Sequence, residues 1–472
     1  MVFEKNKIPL LFSLVYVLLF FFVKENPFFW DTIQLGSKHA HWYFENNFQY
    51  FFLPEVLDSG HPPTFGMTLA GLWTIFGKSL WVGHAMIMLF SIGIVFQLHR
   101  LGSFFLGEKN VVYLLLLAMI DPFLAGQSAL VSPDIPLLFF WLLGLCAVVY
   151  NRKLVVVIAA LGLAAISMRG MMMVVVIYLF DIGWKWITGA SKINLLLLIK
   201  TACPYVPSGL FAMAFLWAHY QHTGWIGYHE NSSWAPAFVK VGLQGFLKNV
   251  AVLGWRFLDF GRIFLFLGLG ILLVQWFKNK WQPDEKGKGL LLLFAISGVV
   301  LLPSLMMHAN LLAHRYLLPL VLIGHFIFIY AMFCHSEKHL IKKKLFYLAF
   351  IGMFAGNFLV YPKEISQGWD STLAHLHYFP LRTNMMEYID QQGIAMNTIG
   401  TDYPEKGLVR YIDLSECMDS FLTQDLKSHQ YILYSNVMND FSDEAIHELE
   451  TEWSVIKEFK QMGVCVILYE KH

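Results

Sequence analysis

Residues 8–31 read IPLLFSLVYVLLFFFVKENPFFWD, an uncharged apolar run that ends, after a short polar step, on Trp30-Asp31. A bilayer is crossed by ~20 mostly apolar residues, and the run from Ile8 to Val23 comes close to that length. A carboxylate beside the bilayer is costly and is usually kept for chemistry or transport, so Asp31 is the first residue of functional interest. His61-Pro62-Pro63 follows, just before the chain re-enters an apolar run. Lys5 and Lys7 precede the first run as they would in a signal peptide, but Phe22-Val23-Lys24-Glu25-Asn26-Pro27 offers no small-residue cleavage site. The expectation is a retained anchor.

The rest of the chain repeats the pattern. With 57% hydrophobic and 14% charged residues over 472 positions, the composition lies far from the globular norm of ~25% charged. Apolar runs fall near 8–23, 79–98, 111–126, 135–150, 154–168, 171–187, 194–218, 259–277, 289–307, 317–334 and 345–361, about eleven spans. Basic residues at Lys5/Lys7, Arg100/Lys109, Arg152/Lys153, Lys185/Lys192, Lys278/Lys280 and Lys342–Lys344 occupy alternate connections, which marks those connections as cytoplasmic. An inside N-terminus and an odd number of spans then place everything after about 362 outside. The formal net charge of +1, with no basic stripe, gives no sign of nucleic-acid binding.

The predicted organisation is a transmembrane domain over 1–361 and a small extracytoplasmic α/β domain over 362–472. A first outer loop, 24–78, is rich in aromatic residues such as Trp42, Tyr43, Phe48 and Phe51, which suits helices lying in the membrane interface. A second, 219–255, holds His219, His222, Trp225, His229, Glu230 and Trp234, whose histidines read as interfacial polar groups rather than metal ligands. In the tail, strands are expected at Asn397–Gly400, Val409–Ile412 and Tyr431–Tyr434. An amphipathic helix capped by Ser442 is expected to carry the stripe Ile446, Leu449, Trp453, Ile456 and to end at Gly463, before a final strand Val464–Leu468. The tail shows no nucleophile motif or phosphate loop, and a role as lid, recognition element or assembly surface is expected. Cys417 and Cys465 are free thiols or a disulfide, which spacing does not decide.

Chemistry candidates gather at the outer ends of spans: Asp31, Asp134 in Ser132-Pro133-Asp134-Ile135-Pro136, Arg169 in Ser167-Met168-Arg169-Gly170, and Arg315 in His314-Arg315-Tyr316. His61 lies near the same level. Arginine suits a phosphate because its planar fork pairs with two oxygens and keeps its charge; a carboxylate can take a proton from an attacking hydroxyl. Each also has a structural reading: Asp134 as a helix start, the arginines as snorkelling cations, Pro62-Pro63 as a stiff entry to a span. Their joint position on one face favours function.

The order Trp30-Asp31 after the first span, a long loop ending in His61-Pro62-Pro63, Ser132-Pro133-Asp134-Ile135-Pro136, Arg169-Gly170 and Arg315-Tyr316-Leu317-Leu318-Pro319 resembles the GT-C membrane glycosyltransferases. More narrowly it is similar to the protein O-mannosyltransferases and the bacterial lipid A aminoarabinose transferases. The resemblance covers roughly residues 8–334, and the soluble tail has no firm counterpart in it. It implies a helical polytopic fold and a polyprenyl-phosphate-linked sugar donor. The acceptor would be a lipid, glycan or protein on the outer face, and the setting a bacterial inner membrane. It assigns Asp31 as the catalytic acid residue of the first loop and Asp134 as a second site carboxylate, with Arg169, Arg315, His61 and Tyr316 as the donor-phosphate groups. His61 stands where the family usually has Lys before the Pro pair, and Arg169 where Lys-Gly is common. No cofactor is required by any motif; a divalent cation is compatible with the pattern, although Thr32 replaces the second acid frequent in relatives. The alternatives are a transporter or lipid flippase, whose charges normally sit near mid-membrane, and a non-catalytic assembly subunit. Convergence of Asp31, Asp134, Arg169 and Arg315 on one cavity separates them from the enzyme.

Overall fold

The computed structural model describes residues 7–189, 194–230, 235–335, 339–365 and 367–472, so that Lys5, Lys192 and Trp234 lie outside the described residues. Every apolar run forms helix. Helix α1 (Lys7–Val23) leads into the first loop, which holds a π-helical turn at Ile33–Lys38 and helices α2 (His39–Glu45) and α3 (Thr64–Phe76). There follow α4 (Leu80–Leu106), α5 (Val111–Ile120), α6 (Pro122–Ser128), α7 (Asp134–Val149), α8 (Lys153–Ile166), α9 (Met168–Ile187) and α10 (Leu195–Thr223). The remaining membrane-domain helices are α11 (Leu243–Leu258), α12 (Ile263–Lys278), α13 (Glu285–Met307), α14 (Leu318–His335) and α15 (His339–Gly356).

Among the described residues, five segments are alone long and apolar enough to cross a bilayer: α4, α9, α10, α13, and α14 together with the turn before it. Two more spans arise if bent pairs are counted as one, α5–α6 at 63° and α11–α12 at 96°. The first bend follows from Asp121-Pro122: Pro122 cannot continue the preceding helix, and the Asp121 carboxylate caps the new one, accepting the Phe123 N–H at 2.9 Å. The second bend turns α11 away from α12, so the second outer loop contains a helix whose exposed face shows Leu243, Leu247, Val250, Trp255 and Leu258. Helices in lipid approach closely where one side is small; Gly144 lies against Ile177 and Gly162 against Phe140, leaving no room for a Cβ.

The tail is a six-stranded sheet of order β2-β3-β1-β4-β6-β5, with β1 (Ile399–Thr401), β2 (Gly407–Leu408), β3 (Ser420–Thr423), β4 (Tyr431–Ser435), β5 (Trp453–Gln461) and β6 (Val464–Lys471). The strand β1 is parallel to β3 and β4, and the other pairings are antiparallel. Helices α16 (Tyr378–Gln391) and α18 (Asp443–Glu452) cover it, with a short α17 (Arg410–Asp413) between them in the chain. Ile389, Ile399, Ile432 and Leu468 are fully buried, each such side chain stabilising the domain by about 1.5–3 kcal/mol.

Two expectations fail here. Val409–Ile412 is not a strand but runs into α17, whose Ile412 carbonyl accepts the Phe28 N–H at 3.0 Å and docks the tail on the first loop. The amphipathic helix begins under Ser442 as expected but stops at Glu452; Trp453 and Ile456 belong to β5, which pairs with β6 on both sides of a bulge at Ile456. Gly463 therefore closes a hairpin, at φ +83° beside Met462 at φ +49°, instead of ending a helix. Cys417 and Cys465 are free thiols.

Candidate active site

Asp31 sits on a turn built for it. Trp30 adopts φ +53°, in the left-handed region that bulky residues avoid at a cost of about 1–3 kcal/mol. The turn is locked by Thr32, whose hydroxyl donates to the Phe29 carbonyl at 2.7 Å and accepts the Phe29 N–H at 2.9 Å. Thr32 is buried and serves this turn, so it does not supply a second acid to the site. The Asp31 side chain keeps 30% of its surface exposed, against 7% for Asp134.

Asp134 stands in the first turn of α7, where a carboxylate complements the helix dipole. Arg169 stands in the first turn of α9, where a cation runs against the dipole, and an ion pair with Asp134 compensates it. The turn that holds Arg169 is capped by Ser167, whose Oγ accepts the Gly170 N–H at 3.0 Å; Gly170 lies so close to the Leu163 carbonyl that no Cβ fits. Arg315 lies on a 3₁₀ turn at His314–Leu317 ahead of α14. Its Nη2 pairs with Asp31, its Nε lies 3.2 Å from Asp134, and its Nη1 pairs with Asp370. The Tyr316 ring lies between the two guanidiniums, 4.4 Å from Arg169 and 5.0 Å from Arg315, a stacking geometry that favours cations.

Asp134, Arg169, Arg315 and Tyr316 open, with His61, on a cavity of about 400 Å³, while Asp31 and Asp370 stand behind its wall on the far side of Arg315. Its remaining lining is largely apolar, with Leu137, Ile166, Met172, Leu301 and Leu305. Such a cavity, apolar with a few convergent polar groups at one end, fits a ligand with a greasy body and a charged head. His61 is half-buried, its Nδ1 is shielded and finds no partner among the described residues, and desolvation, reinforced by Arg169, pushes its pKa down to about 4. At neutral pH it is therefore an uncharged hydrogen-bonding group, not the cation a Lys would be.

Beside the cavity wall formed by Ser59, Ile226 and Gly227, a clasp ties the first loop to the end of α10. His219 places Nε2 2.9 Å from Asp58 and Nδ1 3.0 Å from the Trp225 carbonyl, and both side chains are buried. Gly60 lies against the Gly227 backbone without room for a Cβ. His219 is thus a buried structural partner, not the interfacial group expected of it. His222 stacks on Phe52 at 4.8 Å and His229 lies 3.3 Å from Glu55. Among the described residues no group of three His, Cys, Asp or Glu side chains is arranged to hold a metal ion; the three acids at the site each turn to Arg315 instead.

The structure therefore brings Asp31, Asp134, Arg169, Arg315, Tyr316 and His61 together from distant parts of the chain. Sequence reasoning missed Asp370, in Gly368-Trp369-Asp370-Ser371, because it lies beyond the last apolar run, where an aspartate attracts no notice. It also missed Tyr403 of the tail, whose ring meets Trp30 edge-on at 5.3 Å. The Tyr403 hydroxyl is buried without a partner among the described residues, and burial together with Asp31 raises its pKa well above the usual phenol value.

A bundle of apolar helices, a charged cluster at their ends beside a long first loop, and a small α/β domain docked over it define the GT-C fold of integral membrane proteins. Two solved structures share it along nearly the whole chain. One is ArnT from Cupriavidus metallidurans bound to undecaprenyl phosphate, at TM-score 0.54 and 11% identity, covering 97% of this chain and 97% of that one. The other is ArnT from Cupriavidus metallidurans in the apo state, at TM-score 0.56 and 10% identity, with the same coverage of both chains. The likeness takes in the tail domain, for which the sequence motifs gave no counterpart. No family model and no curated protein matches the sequence.

Proposed function

We propose that the protein is a glycosyltransferase that moves a sugar from a polyprenyl-phosphate donor to a lipid, glycan or protein acceptor, on the outer face of a bacterial inner membrane. The observation that carries this reading is the meeting of Asp134, Arg169, Arg315 and Tyr316 at the polar end of one apolar cavity, with Asp31 paired to Arg315 just behind that wall. A transporter would hold such charges near mid-membrane on broken helices in paired halves, whereas here they crowd at helix ends on one side. The fold shared with a protein that binds undecaprenyl phosphate supports the same donor class.

In this reading Arg169 is the principal phosphate cation. One of its nitrogens faces Asp134, while the residue lines the cavity at the N-terminus of α9, whose free N–H groups add to an anion site. The acceptor hydroxyl attacks the anomeric carbon as the bond from that carbon to the phosphate oxygen breaks. The electron pair leaves with the polyprenyl phosphate, and the guanidiniums stabilise it. Asp31 receives the hydroxyl proton, and attack from the face opposite the phosphate inverts the anomeric carbon. Arg315 holds Asp31 and Asp134 in place.

The test is transfer from a panel of radiolabelled polyprenyl-phosphate sugars to host membrane acceptors. Asp31→Asn is expected to lower transfer by about 10²–10⁴ while eluting as a folded protein. Absence of transfer from every donor, with the panel validated on a known transferase, would favour the transporter or assembly reading.

A further inference from the structure

Arg315 presents no unoccupied edge. Each of its three nitrogens faces a carboxylate: Asp134 at Nε, Asp370 at Nη1 and Asp31 at Nη2, with the Tyr316 hydroxyl 3.4 Å from Nη2. The cluster thus sets three carboxylates against two guanidiniums. A phosphate entering it brings further negative charge to a partly buried place, where unpaired like charges are costly. One carboxylate has to give way.

The three acids are not equally held. Asp134 is gripped by both Arg169 and Arg315 at a helix N-terminus. Asp31 rides on the turn locked by Thr32; its carboxylate meets only Arg315 among the described residues, but in the proposed reaction it stays at the site to take the acceptor proton. Among the described residues the Asp370 carboxylate has, besides Arg315, only the hydroxyl of its neighbour Ser371 at 3.1 Å, and it stands on a three-residue turn, Trp369–Ser371, that belongs to the connection into the tail. That turn is threaded into a slot of the membrane domain. Gly126 of α6 lies against Thr372, with an added Cβ 2.6 Å from its nitrogen, Gly368 lies against His314, and Gln127 Nε2 donates to the Asp370 carbonyl at 2.6 Å. Directly beyond it the chain enters α16 and the sheet domain.

Building on the donor class proposed above, we propose that Asp370 is a built-in stand-in for the donor phosphate: its carboxylate occupies Arg315 until a polyprenyl phosphate displaces it. The displaced turn loses its side-chain anchor and keeps the Gln127 bond. Donor binding is thereby felt at the root of the tail domain, and one of the three carboxylates is exchanged for a phosphate without leaving Arg315 bare.

Two measurements on the full-length protein in detergent decide this, with undecaprenyl phosphate as the probe. Asp370→Asn is expected to bind the probe roughly tenfold more tightly than wild type, and Asp370→Glu to stay near wild type. Amide hydrogen exchange in wild type is expected to rise over 368–376 when the probe binds, and Asp370→Asn to show that raised exchange without it. Tighter binding with unchanged or slower exchange over 368–376 would leave only a general charge effect and overturn the displacement, as would unaltered affinity in Asp370→Asn. The wild-type exchange experiment stands even where the variant fails to fold. Wild type that binds no probe at all fails the donor class itself, an outcome distinct from wild type that binds without loosening the turn.

Discussion

Two buried arginines of the membrane domain make opposite use of the same charge. Arg315 faces three carboxylates and a cavity. Arg262, at the 96° bend between α11 and α12, is wholly buried, lies 3.8 Å from Asp121 at the other helix break, and sits 3.1 Å above the Phe123 ring. It donates to the Arg256 carbonyl at 3.1 Å, while its Nε and Nη1 find no hydrogen-bond partner among the described residues. Arg262 and Asp121 join two broken helices; Arg315 organises acids around an open space. A buried cation in a membrane protein is therefore not by itself a site. Volume beside it and acids with exposed oxygen make the difference.

The comparison breaks most sharply through Arg315. Arg315→Lys replaces a three-way fork by a single ammonium, which cannot hold three carboxylates, and transfer is expected to fall by about 10²–10³ with the thermal midpoint nearly unchanged; a transfer rate near wild type would remove its organising role. Arg262→Met is expected to do the reverse, lowering stability by about 3–5 kcal/mol because the buried Asp121 loses its guanidinium and is left with His325 at 3.6 Å and the Phe123 N–H. Denaturation of the Arg262→Met, Asp121→Asn double variant sharpens the point, since removing both charges should recover much of that loss. A smaller effect concerns pH. Burial lowers His39, His61 and His375 to about 4, so between pH 6.5 and 4 the unfolded chain binds protons that the folded chain does not. Stability should decline as pH falls through that window, and His61→Gln should flatten the decline measured by thermal melts from pH 7 to pH 5.

Four of the charged residues at the site were legible because each interrupts or borders an apolar run, where the bilayer makes charge conspicuous. Asp370 and Tyr403 were not, since both lie in soluble-type sequence and reach the cluster only when the tail folds back onto the first loop. The same docking explains Val409–Ile412, whose β-prone residues yield to a helical turn that bonds Phe28. Ile456 matched a helical stripe by spacing alone, but the pairing of β5 with β6 on both sides of it, with Ile456 itself in a bulge between Val455 and Lys457, outweighs a local period. The Asp58–His219 clasp joins the first loop to the last turn of α10, and no local pattern marks such a pair.

The right-angled helix α11 has a bearing on depth. A helix set at 96° to the next one, with leucines and a tryptophan turned outward, has the form that suits a bilayer interface. Asn249 on its inner side donates to the Met306 and His308 carbonyls at 2.9 and 2.8 Å, and His308 lines the cavity. The helix and the cavity wall are thus rigidly coupled, so wherever α11 comes to rest the charged end of the cavity stands at one fixed depth from it.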